Sequence, residues 1–184
     1  NRGARFTPAP LPVQAQFAPA FGIAVADLDG DGHEDLFLAQ NFFGVDAETS
    51  RQDAGAGLVL QGDGRGGFTT IPTPLSGIFL TEEQRGCALA DVDQDGRVDL
   101  AVGTVNGPIR IYRNRHAARG VALAFEGTIR NPAGVGTRYR LRRSSGPGPV
   151  REVQAGAGYA SQNALVQTLP EPGPGAVLEV TWPG

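Results

Sequence analysis

Two short segments of this 184-residue chain place aspartates at alternate positions, a spacing that can direct several carboxylates toward one cation. Both segments fit the pattern Asp-x-Asp-x-Asp-Gly-x-x-Asp. Alternate carboxylates point into one concavity when the backbone curls around it, and the glycine permits the sharp turn. The predicted ligands are side-chain oxygens of Asp27, Asp29, Asp31 and Asp35 with the main-chain carbonyl of His33, and side-chain oxygens of Asp91, Asp93, Asp95 and Asp99 with the carbonyl of Arg97.

The predicted ion is calcium. A ligand set made only of oxygens suits a hard cation of flexible coordination, which favours Ca²⁺ over Mg²⁺ or Zn²⁺. An EF-hand would need a bidentate Glu at the twelfth position, where this chain has Leu38 or Val102. A solvated acidic turn is the alternative for either segment alone, but two matches 64 residues apart favour calcium loops. No acid–base pair accompanies them, so we expect two structural ions and no enzyme activity.

Short apolar runs flank each acidic loop and predict a strand, a loop and a second strand. After the first unit, Leu58–Leu60 and Phe68–Ile71 flank a glycine-rich turn and predict a hairpin, which completes four strands. The second unit continues into one more strand, at Ile109–Tyr112. Four strands per repeat is the content of one propeller blade. Segment 4–12 is a candidate outer strand of a preceding blade.

The composition favours an all-β protein. The 27 Gly and 14 Pro argue against a helical bundle, while 40% apolar residues suffice for a core. No apolar run approaches the length of a membrane span. Residues 1–114 carry 15 acidic and 8 basic side chains, whereas residues 115–184 carry 4 and 8, so the chain divides into two unlike parts and no nucleic-acid binding is expected. From residue 116 onward, strands are predicted at 121–125, 138–142, 150–153 and 176–182.

Several of these residues also resemble known repeats and modules. Segments 21–36 and 87–100 resemble FG-GAP/VCBS repeats, the calcium-loop blades of integrin-α-like propellers. Segments 131–138, 151–153, 156–162 and 179–184 resemble the ASPIC/UnbV module, although residues 165–170 depart from that pattern. The order of repeats and module is similar to the cartilage acidic protein family. We therefore expect a linker with the outer strand in residues 1–20, two blades of an incomplete propeller in 21–115 and a small β module in 116–184.

The resemblance implies a non-enzymatic calcium-binding adhesion or recognition module that is extracellular, at the cell surface or periplasmic. Its partner would be an extracellular protein or a glycan. A carbohydrate-binding or carbohydrate-active propeller fragment is the alternative, with a sugar site in the insertion 41–57. Two blades leave strand edges open, so we expect either weak self-association through the N-terminal side or a monomer packed on its own C-terminal module.

Other candidate residues have simpler interpretations. The glycine-rich stretch 62–67 lacks the P-loop pattern and is interpreted as a hairpin turn. Arg138, Arg140 and Arg142 alternate along one strand, which predicts a shared face that is either solvated or anion-binding. Cys87 lies in an apolar strand and is expected in the core, and Ser161 has no motif of a nucleophile around it.

Overall fold

A computed structural model describes residues 6–183 and shows an all-β protein with several antiparallel sheets. Its first sheet has four strands in chain order, and each strand pairs with the next. A β-bulge interrupts the pairing near the start of the first strand. The strands are β1 (Ala20–Ala26), β2 (Asp35–Gln40), β3 (Leu58–Gly62) and β4 (Phe68–Ile71). All four predicted strands of the first unit are therefore confirmed.

The second sheet repeats the first three strands of this arrangement. It contains β5 (Gln84–Ala90), β6 (Asp99–Thr104) and β7 (Arg110–Tyr112) in chain order. The register repeats as well, because Leu36 pairs with Leu60 in the first sheet and Leu100 pairs with Tyr112 in the second. One 3₁₀ turn at Val13–Gln16 and one α-helical turn at Thr73–Ser76 are the helical elements of the described residues.

The two sheets share one hydrophobic core. Ala24 and Phe37 of the first sheet are buried with Cys87 and Val102 of the second, and Leu80 from the connecting segment completes the cluster. Cys87 is 2% exposed, which confirms its predicted place in the core. On the opposite face of β1, in contrast, Ile23 and Val25 remain 48% and 50% exposed. The alternation of β1 therefore separates a covered face from a partly open one.

Six further strands form the C-terminal region, residues 116–183. They comprise β8 (Gly120–Leu123), β9 (Arg138–Arg143), β10 (Gly146–Pro147), β11 (Arg151–Glu152), β12 (Gln167–Pro170) and β13 (Val177–Thr181). The strand β9 pairs with β10, β11 and β13, while β12 pairs with β8. A second core contains Phe125, Tyr139, Val153 and Leu169. The four predicted strands are confirmed to within a few residues, and β10 and β12 are additional.

The C-terminal region contacts the second sheet at the position equivalent to the one at which the second sheet contacts the first. A Cβ atom on Gly22 would lie 2.6 Å from the carbonyl oxygen of Arg85, and one on Gly86 would lie 2.3 Å from that of Ala160. These glycines are 64 residues apart, and both allow a neighbouring backbone to approach. The N–H of Cys87 also donates to the Ser161 hydroxyl at 2.9 Å. The Ser161 hydroxyl therefore joins the C-terminal region to strand β5.

One sequence prediction about the N-terminal segment is wrong where it can be checked. Residues 6–12 form no strand; residues 4 and 5, where the predicted outer strand begins, lie outside the described residues. Three prolines at alternate positions remove backbone donors from this segment, which prevents a regular ladder. Among residues 6–183 the sheets do not close into a ring. No helix of the described chain has the length and apolar character of a membrane span.

Candidate metal centre

The first acidic loop brings three carboxylates together between β1 and β2. Asp27, Asp29 and Asp35 each offer an oxygen, and these oxygens lie within 4.8 Å of one another. Ligands 2.3–2.6 Å from a common Ca²⁺ are necessarily separated by no more than about 5 Å. The donor set consists of hard carboxylate oxygens, so its chemistry and its spacing both fit a single calcium ion.

Backbone N–H groups hold the carboxylates of the first loop in place. Asp27 accepts hydrogen bonds from Gly30 at 2.7 Å and from Gly32 at 2.9 Å. Both glycines have positive φ, which curls the loop around Asp27. Glycine adopts this backbone conformation readily, so it is favoured at both positions. Asp35 accepts from Leu28 and from Gly62, each at 2.8 Å, and thereby joins the loop to the end of β3.

Burial makes the first loop costly to ionise without a cation. Asp27 is 8% exposed and Asp35 is 2% exposed. Desolvation raises the pKa of Asp27 to about 6, although the N–H groups of Gly30 and Gly32 oppose the shift. Desolvation also raises the pKa of Asp35, against hydrogen bonds from Gly62 and Leu28. A bound divalent cation would compensate these buried negative charges.

The second loop repeats this geometry. Asp91, Asp93 and Asp99 form a triad under the same distance limit as the first. Asp91 accepts from Gly96 at 2.8 Å, and Asp99 accepts from Val92 at 2.9 Å and from Asn114 at 2.8 Å. In each triad the last aspartate therefore accepts one bond from the loop and one from a residue at or just beyond the end of the third strand, Gly62 in the first sheet and Asn114 in the second.

The third aspartate of each loop lies outside these triads. Asp31 accepts the backbone N–H of His33 at 2.7 Å, and Asp95 accepts that of Arg97 at 3.0 Å. The Asp95 carboxylate also forms an ion pair with the Arg97 guanidinium. Coordination by Asp31 and Asp95 and by the carbonyls of His33 and Arg97 stays a prediction, because the triads comprise the other six aspartates.

Sequence reasoning missed one residue near the end of the third strand in each sheet. Gln61, near the end of β3, places its side-chain nitrogen 2.5 Å from the Asp29 carboxylate. Arg113, directly after β7, donates to the Asp93 carboxylate at 3.0 Å. Because Leu60 and Tyr112 hold matching registers, Gln61 and Arg113 are equivalent positions. Pairing the third strands in sequence, rather than the loops alone, would have revealed them.

The chain between the second sheet and the C-terminal region runs beside both loops. The Asn114 side chain donates to the carbonyl oxygens of Leu28 at 2.6 Å and Val98 at 3.3 Å. The Gly120 N–H donates to the carbonyl oxygen of Gly96 at 2.6 Å. We call residues 114–120 the connector. It links the two loops to each other and to β8, which no feature of the loop sequences indicated.

The structure also places the other candidate residues. Arg140 and Arg142 share a face, as predicted, but both bond to Glu179 on β13, which reduces the positive charge available to an anion. Stretch 62–67 forms the predicted hairpin turn between β3 and β4. In the insertion 41–57, Asn41 is fully buried, and its amide is committed to backbone groups of Gly55 and Thr81. Asn41 is therefore a structural residue.

Fold and site together define an all-β protein with several antiparallel sheets and two acidic triads that can hold metal ions. No family model matches the sequence. Part of the chain is similar to cartilage acidic protein 1 of Xenopus tropicalis, with 32% identity over 91 residues. The match covers 50% of this chain and 12% of the relative, so the chain represents a small part of that protein's length.

Proposed function

We propose that this chain is a non-enzymatic calcium-binding module in which two Ca²⁺ ions act as structural staples of the acidic loops. The observation that carries the proposal is the pair of carboxylate triads at equivalent positions in two sheets. The ligand oxygens would come from Asp27, Asp29 and Asp35 in the first loop and from Asp91, Asp93 and Asp99 in the second. An ion there would fix the turn between two strands and offset the repulsion among the aspartates.

The similarity to cartilage acidic protein 1 supports a larger setting for this module. In that setting the two sheets are blades of an integrin-α-like propeller with FG-GAP/VCBS character, and residues 116–184 are an ASPIC/UnbV-like module. The repeated registers and the equivalent contacts at Gly22 and Gly86 favour a repeat architecture. The chain would then function in an extracellular, cell-surface or periplasmic space and recognise an extracellular protein or a glycan.

A carbohydrate-binding or carbohydrate-active role is the second candidate, and the structure offers it less support. Of the residues proposed for a sugar site, Asn41 is buried and Phe42 packs 6.0 Å from Phe21, measured between ring centroids. Phe43 is the large exposed aromatic residue of this segment, at 51% exposure. A glycan array on the calcium-loaded protein distinguishes the two roles, since glycan binding lost in Phe43→Ala would favour the second.

Calorimetry tests calcium binding most simply. Asp29 and Asp93 are the triad members that are least buried in their loops, so Asp29→Asn and Asp93→Asn remove a ligand without opening the core. We expect two calcium ions per wild-type chain and one in each variant. Asp53→Asn is the matched control, because Asp53 pairs with Arg51 on the insertion and lies outside the triads. Absence of binding at millimolar calcium would refute the proposal.

Self-association is a separate expectation that rests on the open face of β1. Ile23 and Val25 are half-exposed there, whereas their equivalents Cys87 and Leu89 are buried. Apolar area of this kind favours weak contacts between copies. Light scattering over a concentration series should show a mass that rises with concentration, less so in Val25→Thr. A constant monomer mass would favour the alternative that the chain packs mainly on its own C-terminal region.

A further inference from the structure

Just outside the two acidic loops, one equivalent pair of positions differs in charge, Gln61 and Arg113. Each side chain contacts the second aspartate of its triad, Asp29 in the first loop and Asp93 in the second. Gln61 is neutral, whereas Arg113 is positively charged. The same place in the fold therefore holds an amide beside one triad and a guanidinium beside the other.

The charge of Arg113 acts directly on the second triad. Its guanidinium lies 3.0 Å from the Asp93 carboxylate and its side chain is 51% exposed. A cation entering this triad must share Asp93 with Arg113 or displace it, and it experiences repulsion from the guanidinium in either case. The second loop has another cation paired with one of its aspartates, because Arg97 pairs with Asp95, whereas the cation at the first loop, Arg151, pairs with Glu34. The equivalent residue in the first loop is His33, whose backbone N–H contacts Asp31.

Gln61 has the opposite chemistry. An amide side chain carries both an oxygen and an NH₂ group, so it can orient Asp29 with its NH₂ group or turn its oxygen toward a cation. It contributes no net charge in either orientation. The first triad thus has a neutral neighbour that is compatible with a hard cation at the position where the second triad has a competing one.

We propose that the residue at this position sets the calcium affinity of its loop, so that the first loop binds Ca²⁺ more tightly than the second. This inference rests on the calcium-binding function proposed above and adds that the two sites are unequal for an electrostatic reason. Gln61 and Arg113 are positioning residues in this account, since each acts through an aspartate of its triad.

The test isolates each loop before changing its neighbour. In the Asp29→Asn background, where the second loop alone retains its triad, Arg113→Gln should tighten calcium binding roughly three- to tenfold. That is the size expected for a half-exposed unit charge several ångströms from a divalent ion at physiological salt. In the Asp93→Asn background, Gln61→Arg should weaken binding at the first loop by a similar factor. Isothermal titration with CaCl₂ measures both.

Two controls show that charge is the cause. Arg113→Lys keeps the charge and should leave affinity within about twofold of its background. Arg110→Gln removes an arginine of β7, the strand that Arg113 directly follows. Arg110 pairs with Glu82, away from the triad, so this variant should also leave affinity unchanged. Raising NaCl from 0.05 to 0.5 M should shrink the effect of Arg113→Gln, because salt screens half-exposed charges.

The outcomes separate the inference from the proposed function. If the backgrounds bind calcium and Arg113→Gln changes affinity no more than Arg110→Gln does, the inference is overturned while the calcium function stands. If Arg113→Lys tightens binding as much as Arg113→Gln does, a charge mechanism is overturned. If neither background nor wild type binds calcium, the proposed function fails and the inference fails with it. Should Arg113→Gln unfold, Gln61→Arg in the other background decides the question alone.

Discussion

The first and second acidic loops have nearly the same backbone contacts but different surroundings. In each, the last aspartate accepts an N–H from within the loop and another from a residue at or just beyond the end of the third strand. The first loop buries Asp27, has neutral Gln61 beside Asp29 and pairs Glu34 with Arg151, while in the second Arg97 and Arg113 pair with two of the aspartates themselves. We infer that the repeated motif fixes the placement of the ligands, whereas residues outside the motif determine how strongly the ligands attract a cation.

The largest expected effect comes from the last aspartate of each loop. Asp35→Ala leaves the part-buried N–H of Leu28 and the buried N–H of Gly62 without an acceptor, which should lower the free energy of unfolding by about 3 kcal/mol. Asp99→Ala should cost about the same, because its two bonds are equivalent. Urea unfolding in EGTA measures both. The control Asp63→Ala removes an exposed hairpin aspartate and should cost much less than either buried variant. A large difference in the free energy of unfolding between Asp35→Ala and Asp99→Ala would show that the two loops are not supported equally.

Calcium itself should give the next largest effect. An ion that binds only the folded loops stabilises by about 2.7 kcal/mol per site when its free concentration is a hundred times the dissociation constant. Differential scanning calorimetry in EGTA and in calcium should therefore show a higher Tm with the ion, and Asp29→Asn should lose more of that gain than Asp93→Asn at low calcium. A Tm that is indifferent to calcium and to chelator would show that the ions do not staple the fold.

The connector provides a smaller effect that joins the two loops. Asn114→Ala removes bonds to the carbonyl oxygens of Leu28 and Val98 and should lower the free energy of unfolding by about 1–2 kcal/mol. Local opening should also make trypsin cleave faster after Arg115 and Arg119. Limited proteolysis followed by mass spectrometry checks this. Gln154→Ala, an exposed amide in the C-terminal region, is the control and should cleave at the wild-type rate.

The smallest expected effect is a pH dependence of the calcium-free protein. The pKa of Asp27 is raised to about 6 by burial, so between about pH 4 and pH 6 the folded chain keeps a proton that the unfolded chain has lost. This contribution to stability is fully present below the unfolded pKa and disappears as pH rises through about 6. We expect a loss of about 1 kcal/mol, because the loop is partly solvated. Urea melts of protein freed of calcium beforehand, at pH 4.5 and 7, measure it. Asp27→Asn should reduce the loss, and the remainder belongs to Asp35, whose pKa burial also raises.

Much of the fold was predictable because short apolar runs and turn residues specify strands locally. The seven strands of the two sheets and their hairpin followed from alternation, glycine turns and the 64-residue offset. Strand β12 was not predicted, since it ends in Pro170 and pairs with β8, which is far away in sequence. Proline is tolerated there because β12 has β8 as its one partner and needs no donor on its other edge.

The site was predictable in part for the same reason. Alternate aspartates are a local signal, and six of the eight meet in the two triads. The supports of the triads come from residues that are distant along the chain, such as Gly62 for Asp35 and Asn114 for Asp99. Burial, which raises the pKa of Asp27, likewise depends on how the sheets and the connector pack. Neither the loop spacing nor the composition contains this information.

We propose that both triads hold calcium in the folded chain. A crystal structure of the protein grown with CaCl₂, with anomalous data collected at long wavelength, tests it directly. We expect two anomalous peaks, one between Asp27, Asp29 and Asp35 and one between Asp91, Asp93 and Asp99, with ligand distances of about 2.3–2.6 Å. Soaking at decreasing calcium should empty the second site first. Crystals that show no peak at either triad in millimolar calcium would contradict the claim.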